Sequence, residues 1–409
     1  MFNKVSACRV CKNADLVTVL ELGEQVLTGV FPKSDNVIVT SGPLTLVKCV
    51  GKNCCGLLQL AHSYSLSEMY GENYGYRSGL NPSMVAHLRS KVRRIEALGI
   101  LEKGDLVIDI GSNDGTTLKQ YETSDLTRVG IDPTGAKFKG HYGSEIDLIP
   151  DFFSAERYLR AYGSRKAKVV TSFSMFYDLE DPLAFMREVI EVLHDGGVWV
   201  FEQSYMPTML STNSYDTVCH EHLEYYSLAQ ILWMANRVGL RVIDVELNDV
   251  NGGSFSVTVQ KSTGRLAATA AVDQVIETEK AQNLEDLATY RRFSERVAAS
   301  KRELVAFLVN ARNTGKRVVG LGASTKGNVI LQFCQIDSSM IECIGEINSD
   351  KFGAKTPGSR IPIVDERSLL ATHPDYVLVL PWHFRSFFES QERYRNLALV
   401  YPLPTLSVI

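Results

Sequence analysis

Two histidines and two glutamates lie within five residues, directly after a cysteine, in the segment Cys219-His220-Glu221-His222-Leu223-Glu224. The whole chain has eight histidines, so this density is unusual. A histidine with a pKa near neutrality beside a carboxylate can remove a proton from a carbon acid. The alternatives are a zinc site, although the spacing is H-E-H rather than H-E-x-x-H, or a loop with hydrogen-bonded histidines. The cluster is therefore a candidate catalytic site.

Five of the eight cysteines crowd into the first 55 residues, at Cys8, Cys11, Cys49, Cys54 and Cys55. In a reducing compartment such crowding indicates a metal rather than disulfides, and four thiolates suit tetrahedral zinc in a closed structural site. Cys8 and Cys11 form one knuckle. For the other two ligands we favour Cys49 and Cys55, because a Cys-Gly pair leading into a strand is a common knuckle shape. The alternative is a set of buried free thiols.

A glycine-bearing turn follows the apolar run at residues 106–110, in LVIDIGSNDG, and a second apolar run ends at Asp132. This pattern predicts a strand, a turn, a helix from Thr116 and a second strand, which together hold a nucleoside at the edge of a parallel sheet. Gly111 and Gly115 permit close backbone approach, and Asp132 can accept both ribose hydroxyls. The turn is not G-x-G-x-x-G, which favours a ligand without pyrophosphate.

This loop resembles the S-adenosylmethionine (SAM) site of class I methyltransferases. The alternatives are a doubly wound fold without a nucleotide and a dehydrogenase with an irregular loop. We assign to the cofactor a set of residues that end the first, second and fifth strands or lie in the glycine turn: Asp109, Gly111, Asn113, Gly115, Asp132 and Glu202. Glu202 ends the apolar run GVWVFEQ before the histidine cluster, so it would face the methyl donor or the acceptor.

A second strand and glycine loop occur late in the chain, in KRVVGLGASTKGN. The loop amides and Lys326 could hold a phosphate at a helix N-terminus, although the spacing is not that of a P-loop. The first loop lacks the features of a phosphate-binding loop, whereas this second loop has them. The sequence therefore predicts two bound nucleosides, of which the second is a nucleotide attached to the substrate. A tyrosine-rich segment, YGENYGYRSGLN, contains Tyr76 and Arg77 and either packs a domain junction or lines the acceptor site.

The hydrophobic periodicity predicts an α/β chain of three parts. These are a zinc-binding module (1–78), a central class I methyltransferase domain with a Rossmann-like seven-stranded sheet (79–262), and a helical linker with a C-terminal Rossmann-like α/β domain (263–409). In the central domain we expect a helix at 82–99, strands at 106–110, 128–131, 145–149, 168–173 and 197–202, and a final reversed hairpin. Residues 271–313 are charged and free of Pro and Gly. We expect them to form a solvated helical linker.

The composition limits the possible function classes. The chain has 409 residues, 45% hydrophobic content, 22% charged content and a net charge of −4. No long segment is dominated by Lys and Arg, so we expect no nucleic-acid partner. No apolar run approaches the ~18 residues of a membrane span, and the N-terminus lacks an apolar signal core. We therefore expect a cytoplasmic protein without membrane contact, as a monomer or weak dimer.

Taken together, the motifs resemble those of the sugar C-methyltransferases of deoxysugar pathways, as in tetronitrose or mycarose formation. The resemblance extends from end to end and includes the cysteine pairs, CGLLQL, DIGSNDGTTL, FEQ, HEHLEYYS and GASTKGN. It implies SAM as cofactor, structural zinc, and a nucleotide-linked 4-keto-6-deoxyhexose as substrate. In that family a proton is removed next to the 4-keto group, and a methyl group is then transferred to C-3.

The same resemblance assigns roles to individual residues. His222 corresponds to the base, Glu221 to an active-site partner and Tyr76 to the acceptor segment, while His220 or a tyrosine could hold the enolate oxygen. Lys326 and Asn328 fall in the loop expected to meet the nucleotide.

Two positions depart from the family pattern. Cys219 stands where well-known members have a tyrosine, and Tyr177 is the polar residue nearest to a position where they have a histidine. Both positions are expected to touch the acceptor, as is Arg77. The departures favour a different sugar, a different carbon or oxygen methylation. A non-catalytic sugar-nucleotide binding protein is a further alternative, but the intact DIGSNDG, Asp132 and H-E-H motifs argue against it.

Overall fold

The computed structural model describes residues 2–34, 36–64 and 77–409. The N-terminal part is built of short strands: β1 (Asn3–Lys4), β2 (Leu16–Val26), β3 (Ser41–Cys49), β4 (Leu58–Leu60) and β5 (His62–Ser63). Strands β2, β3 and β4 form an antiparallel sheet that is completed by residues Glu224–Tyr225 from the histidine cluster. The predicted catalytic segment is therefore an edge strand of the cysteine-rich module.

The central part alternates strands and helices as the periodicity predicts. Its elements are α1 (Pro82–Glu96), β6 (Leu106–Ile110), β7 (Thr127–Ile131), α2 (Gly135–Phe138), β8 (Ile146–Ile149), α3 (Ala155–Tyr162), β9 (Ala167–Phe173), α4 (Pro182–Val192), β10 (Leu193–Ser204), α5 (Met206–Ser211), β11 (Glu224–Tyr225), α6 (Leu228–Val238), β12 (Leu240–Asn248) and β13 (Ser254–Lys261).

All of these strands except β11 form a seven-stranded sheet in the order β12-β13-β10-β9-β6-β7-β8. Strand β13 runs antiparallel to β10 and β12, while β10, β9, β6, β7 and β8 are mutually parallel. The predicted seven-stranded sheet with a reversed terminal hairpin is confirmed. Its parallel strands end at one edge, and ligands of such sheets bind there.

Both faces of the sheet are buried, as parallel sheets require. Helix α1 places Val92 and Ile95 in the same cluster as Val107. Helices α4 and α6 cover the opposite face, where their side chains pack with Ile108 and Ile110. Alternate residues of β6 therefore belong to two separate cores, and this alternation fixes which side chains reach each side of the carboxyl edge.

The expected helix at Thr116 is absent from the structure. After the glycine turn the chain makes only a short 3-10 helix at Leu118–Gln120. The Asp114 carboxylate accepts hydrogen bonds from the amide and hydroxyl of Thr116, at 3.3 and 2.5 Å. Such local side-chain bonds compete with helical hydrogen bonds, which explains why the α-helix does not form here.

The C-terminal part is also α/β. Its elements are α7 (Ala270–Ala281), α8 (Leu287–Asn313), β14 (Val318–Leu321), α9 (Thr325–Phe333), β15 (Ile344–Glu346), β16 (Ile363–Asp365), α10 (Glu366–Leu370), β17 (Tyr376–Val379), α11 (Arg385–Ser390), β18 (Leu399–Tyr401) and β19 (Ser407–Val408). The sheet order is β16-β15-β14-β17-β18-β19, and only β19 is antiparallel to its neighbour.

The expectation of a solvated linker at 271–313 is wrong. Helix α8 buries Tyr290, Phe293, Val297, Leu304 and Leu308 in the core shared by the N-terminal strands and the C-terminal sheet. Their spacing of three, four and seven residues forms one apolar stripe. Each such buried side chain contributes roughly 1.5–3 kcal/mol, so α8 joins the terminal parts. No helix of the described residues is long and apolar enough to cross a membrane.

Candidate active site

The four cysteines favoured as metal ligands converge in the N-terminal module. The sulfurs of Cys8, Cys11, Cys49 and Cys55 lie within 4.8 Å of one another, with Cys8 to Cys55 at 3.4 Å and Cys11 to Cys49 at 3.5 Å. A tetrahedral zinc ion with Zn–S bonds of 2.3 Å needs sulfurs about 3.8 Å apart, so the cluster fits this ion. The thiol of Cys54 points instead to the Cys49 carbonyl oxygen, at 3.8 Å.

Local turns bring the sulfurs together. Lys12 adopts a positive φ of 60°, and the Cys8 amide donates to the Asn13 carbonyl oxygen at 2.8 Å, which closes the first knuckle. The hydrogen bond from Cys55 lowers the pKa of Cys8 to about 5. The same hydrogen bond raises the pKa of Cys55, so the two sulfurs share one proton, which a cation would displace because the thiolate is the metal-binding form.

The glycine turn after β6 has the geometry of a ligand-binding loop. Gly111 and Gly115 both adopt a φ of 73°, a left-handed conformation that favours glycine. A Cβ atom on Gly111 would lie 3.2 Å from Met175, and one on Gly115 would lie 3.1 Å from Tyr142. The Asn113 amide donates to the Asp132 carboxylate at 2.8 Å, which connects the turn to the end of β7.

Asp109 and Asp132 both end strands at this edge. Asp132 also accepts hydrogen bonds from the amide and hydroxyl of Thr134, at 2.6 and 2.5 Å. Asp109 accepts from the Thr171 hydroxyl at 2.6 Å, and burial raises its pKa to about 7. These hydrogen bonds fix the orientations of both carboxyl groups at the carboxyl edge of the sheet.

The segment that follows the undescribed residues 65–76 covers this turn. The Ser78 amide donates to the Asn113 side chain at 3.0 Å, and the Gly79 amide donates to Asp114 at 3.1 Å. Arg77, expected at the acceptor, forms an ion pair with Asp114 at 3.6 Å. Arg77 therefore lies at the cofactor loop. Tyr76 lies outside the described residues.

Glu202 ends β10 at the same edge, and its carboxylate contacts three groups. It contacts His87 Nε2 at 2.6 Å, Lys91 Nζ at 2.9 Å and Asn248 Nδ2 at 2.8 Å. His87 and Lys91 belong to α1. Glu202 therefore joins α1 to the sheet beside the cleft, a role that the strand pattern alone did not predict.

His222 is fixed in one tautomer. Its Nδ1 lies 2.8 Å from the carbonyl oxygen of Thr217, and because a carbonyl only accepts, Nδ1 must be the protonated nitrogen. The Nε2 lone pair is therefore available to a substrate. Burial and the nearby charge of Lys326 lower the His222 pKa to about 4, so the ring is neutral at physiological pH.

Tyr177 packs against this base, and Glu221 precedes it in the chain. The Tyr177 ring meets the His222 ring edge-on, with centroids 4.3 Å apart. The Glu221 carboxylate points to Gly29, where an added Cβ atom would lie 2.5 Å from Oε1 and 3.8 Å from the Thr325 hydroxyl. Burial raises the Glu221 pKa to about 7. Residues from all three parts of the chain therefore meet around the H-E-H segment.

Two predicted site residues are buried away from any acceptor. His220 is 1% exposed, contacts the Gly42 carbonyl oxygen at 3.3 Å and packs edge-on against Tyr64. Cys219 is 0% exposed and belongs to the core. The His222 amide donates to the Cys219 carbonyl oxygen at 3.2 Å, so residues 219–222 form a turn that directs neighbouring side chains to different partners. We reassign His220 and Cys219 from the active site to packing.

The second glycine loop contributes to the same region. Ser324 caps α9 by accepting from the Gly327 amide at 3.0 Å. Lys326 is half-buried and donates to the Asn251 carbonyl oxygen in the β12–β13 turn. Burial lowers the pKa of this lysine. Asn328 is 0% exposed and donates to the Thr28 carbonyl oxygen at 2.7 Å, so we reassign it from substrate binding to packing.

Comparison with known proteins agrees with this architecture. Three family models match successive parts of the chain: "Putative zinc binding domain" at 8–70, "Methyltransferase domain" at 84–245 and "C-methyltransferase C-terminal domain" at 249–404. The C-methyltransferase NovU of Streptomyces niveus is 31% identical over 422 residues, which cover 99% of this chain and 97% of NovU. The chain belongs to the C-methyltransferase family. The predicted family and the three-part α/β fold are thereby confirmed.

Solved methyltransferases resemble this C-methyltransferase over less than half its length. The magnesium protoporphyrin IX methyltransferase of Synechocystis PCC 6803, with bound SAM, is 14% identical and has a TM-score of 0.33; the match covers 43% of this chain and 79% of that one. The plantazolicin methyltransferase BpumL, with S-adenosylhomocysteine, is 12% identical with a TM-score of 0.34 and coverages of 43% and 83%.

The C-methyltransferase is a SAM-dependent enzyme, and its cofactor cleft fits SAM. Gly111 and Gly115 adopt positive φ angles in the turn after the first parallel strand, and the Asp132 carboxylate stands at the tip of the second parallel strand. This carboxylate would accept ribose hydroxyls, and the 111–115 turn would contact the methionine end.

Sequence reasoning missed His383 in this C-methyltransferase. His383 follows β17 in the segment PWHF and lies against the β12–β13 turn, where a Cβ atom on Gly252 would be 3.4 Å from it and 3.9 Å from Lys326 Nζ. Burial and Lys326 lower the His383 pKa to about 3. The sequence did contain a pattern that could have identified His383, because PWHF directly follows a strand of the C-terminal sheet.

The neighbouring Trp382 connects the C-terminal part to the catalytic loop. Its indole nitrogen donates to Asp216 at 2.8 Å, next to Thr217, whose carbonyl oxygen orients His222. The C-terminal part is therefore in direct contact with the segment that fixes the tautomer of the candidate base.

Proposed function

We propose that the protein methylates a carbon next to the ketone of a nucleotide-linked 4-keto-deoxyhexose, with His222 as the base. The observation that supports this most is the fixed tautomer of His222: Nδ1 donates to the Thr217 carbonyl oxygen at 2.8 Å, which leaves Nε2 available. A ring that stays neutral at physiological pH can accept the proton from the carbon α to the ketone. SAM supplies the methyl group.

The surroundings of His222 suit this chemistry. Proton removal creates an enolate whose negative charge needs nearby donors or cations. Lys326 lies close enough to lower the His222 pKa, and Tyr177 packs against the imidazole ring. Each invoked group of this kind typically contributes ~10²- to 10⁴-fold to the rate. His220 cannot hold the enolate because it is buried against Gly42 and Tyr64.

The second part of the proposal concerns the nucleotide. Lys326 lies at the N-terminus of α9, where backbone amides and the helix dipole favour an anion. Lys326 also meets the methyltransferase part through the Asn251 carbonyl oxygen. A sugar nucleotide held at this loop by its phosphates would reach toward His222 with its sugar.

The proposal is tested by incubating the purified protein with SAM and a panel of nucleotide-linked 4-ketosugars. Mass spectrometry should detect a product that is heavier by one methyl group. In deuterated water, with a SAM analogue that cannot donate methyl, the wild type should exchange the proton next to the ketone and His222→Asn should not. A methyl ether as product, without exchange in the wild type, would establish oxygen methylation instead.

A further inference from the structure

Arg9 lies between the two cysteines of the first knuckle, yet its side chain points away from them into the interior. Its side chain is 3% exposed. The guanidinium donates to the Leu60 carbonyl oxygen at 2.6 Å and to the His62 carbonyl oxygen at 3.0 Å. The Arg9 backbone amide also donates to Gln59 Oε1 at 2.8 Å. Arg9 is thus bonded to Gln59 and Leu60 of β4 and to His62 of β5.

The same guanidinium contacts two acidic residues outside the N-terminal module. Its Nε lies 3.7 Å from Glu224 Oε1 and 3.4 Å from Glu180 Oε2. The Glu224 side chain is 0% exposed, so its contact with Arg9 is shielded from water. Glu180, which is half exposed, also accepts from the Ser63 hydroxyl at 2.9 Å.

Glu224 stands two residues after His222. The residue between them, Leu223, has both its backbone amide and its carbonyl oxygen in hydrogen bonds. The Leu223 amide donates to the Tyr177 carbonyl oxygen at 2.8 Å, and the Leu223 carbonyl oxygen accepts from the Leu60 amide at 2.8 Å. Glu224 itself pairs with Gln59 across β11 and β4. The backbone that follows the candidate base is therefore held by β4, the strand that Arg9 joins to Glu224.

We propose that Arg9 is a positioning residue for the H-E-H segment. Through Glu224 and the Leu60 carbonyl oxygen, it fixes the backbone at Leu223 and Glu224, and through Glu180 it fixes the loop that contains Tyr177. The cysteine-rich module thereby sets the distance between His222 and Tyr177. The catalytic consequence rests on the function proposed for His222, whereas the ordering of the segment does not.

An arginine is suited to this position. Its planar guanidinium presents five donors and stays protonated at all accessible pH values. It contacts two carbonyl groups, a hydroxyl of Ser63 at 2.9 Å and two carboxylates at the same time. A lysine retains the positive charge but has a single nitrogen, so it cannot contact all of these groups.

The test compares Arg9→Lys and Glu224→Gln with Lys12→Gln in the full-length protein. Lys12 is the matched control, because it lies in the same knuckle, its pair with Asp181 is exposed, and it contacts the backbone carbonyl oxygen of Arg9 rather than the guanidinium. Hydrogen exchange, zinc content, SAM affinity and turnover are measured for each. Glu224→Gln leaves the knuckle untouched, so it tests the proposal even if Arg9→Lys loses zinc.

We expect faster amide exchange across residues 217–226 in Arg9→Lys and Glu224→Gln, with zinc content and SAM affinity as in the wild type. Turnover should fall on the order of 10- to 100-fold, with KM changed less, because small misplacements of reacting groups are costly. The double variant should be no slower than the slower single variant, since both changes break one contact. Lys12→Gln should match the wild type in every measurement.

Unchanged exchange across 217–226 in Glu224→Gln would overturn the proposal. A wild type that methylates none of the ketosugars would refute the proposed function instead, and the exchange data would still decide the role of Arg9. Faster exchange spread evenly over the whole chain would show general destabilisation and would also overturn the proposal.

Discussion

The ring of Tyr177 meets the imidazole of His222 edge-on, with centroids 4.3 Å apart and an angle of 64° between the ring planes. Tyr177 follows β9 and His222 follows β10, two neighbouring parallel strands whose carboxyl ends meet at one edge of the sheet. The adjacent residue, Leu223, also donates to the Tyr177 carbonyl oxygen at 2.8 Å. The candidate base therefore has one fixed aromatic wall as well as one fixed tautomer.

His222→Asn should cut turnover roughly 10²-fold or more, because a positioned base contributes at least that much. SAM affinity and sugar-nucleotide affinity should stay within about twofold, since neither cleft is altered. Steady-state kinetics and calorimetry measure these quantities. His194→Asn is the control, since this exposed histidine lies at the opposite end of β10. Full activity of His222→Asn would contradict the assignment.

The pH dependence of turnover should reflect the low pKa of His222. Burial and Lys326 lower this pKa to about 4, so the neutral base is already the main form above pH 5. Turnover should therefore stay level as the pH falls from 8 to 6 and should decline only below about 5, where the ring takes up a proton. An inflection near 6.5 that is still present in Glu221→Gln would contradict a buried base.

An inflection near pH 7 would have a different origin. Burial raises the Glu221 pKa to about 7, so a requirement for its carboxylate form would reduce turnover as the pH falls through that value. Glu221→Gln would then abolish this inflection and leave the one at lower pH. Because the two groups titrate about three pH units apart, the profiles of wild type and variant distinguish them.

Asp132→Ala should weaken SAM binding by roughly 1.5–3 kcal/mol, the scale of lost hydrogen bonds to a charged group. The variant also loses the contacts of this carboxylate with the Asn113 amide and Thr134. Isothermal calorimetry measures the change. Asp147→Ala, on the neighbouring strand β8, is the control. The Asp147 carboxylate accepts a hydrogen bond from the Tyr162 hydroxyl and not from the cofactor turn. Equal SAM affinity in both variants would exclude Asp132 from the cofactor site.

The purified protein should contain about one zinc ion per chain, released only on unfolding, since four thiolates form a closed site. Cys11→Ser should lose zinc and lower the melting temperature. Cys54→Ser should retain zinc, because its thiol points to the Cys49 carbonyl oxygen. Metal analysis and thermal unfolding test both variants. Zinc loss in Cys54→Ser equal to that in Cys55→Ser would show that the ligand set is wrong.

Lys326→Gln should raise KM for the sugar nucleotide by roughly tenfold or more, the scale of one charge-assisted hydrogen bond. SAM affinity should not change. Lys316→Gln is the control, because its ion pair with Asp375 lies on the surface of the same domain. A lower turnover with an unchanged KM would instead place Lys326 at the enolate.

The sequence alone determined the central sheet and its cofactor edge. Apolar runs of strand length, glycines at a turn and an acid at a strand tip are local patterns, and they predicted β6, β7 and the terminal hairpin. The four favoured cysteines also converge as their spacing predicted. These features depend on neighbouring residues, so local chemistry was sufficient to predict them.

Only the tertiary structure decided which side chains share a cleft. The stripe of α8 could be recognised as apolar, but the core that buries it comes from both ends of the chain. His220 and His222 have the same chemistry, and their roles separate because the turn at 219–222 directs His220 to the Gly42 carbonyl oxygen and His222 to the Thr217 carbonyl oxygen. His383 and Lys326 meet across the β12–β13 turn. Contacts between residues so distant in sequence follow from packing, which a local pattern does not encode.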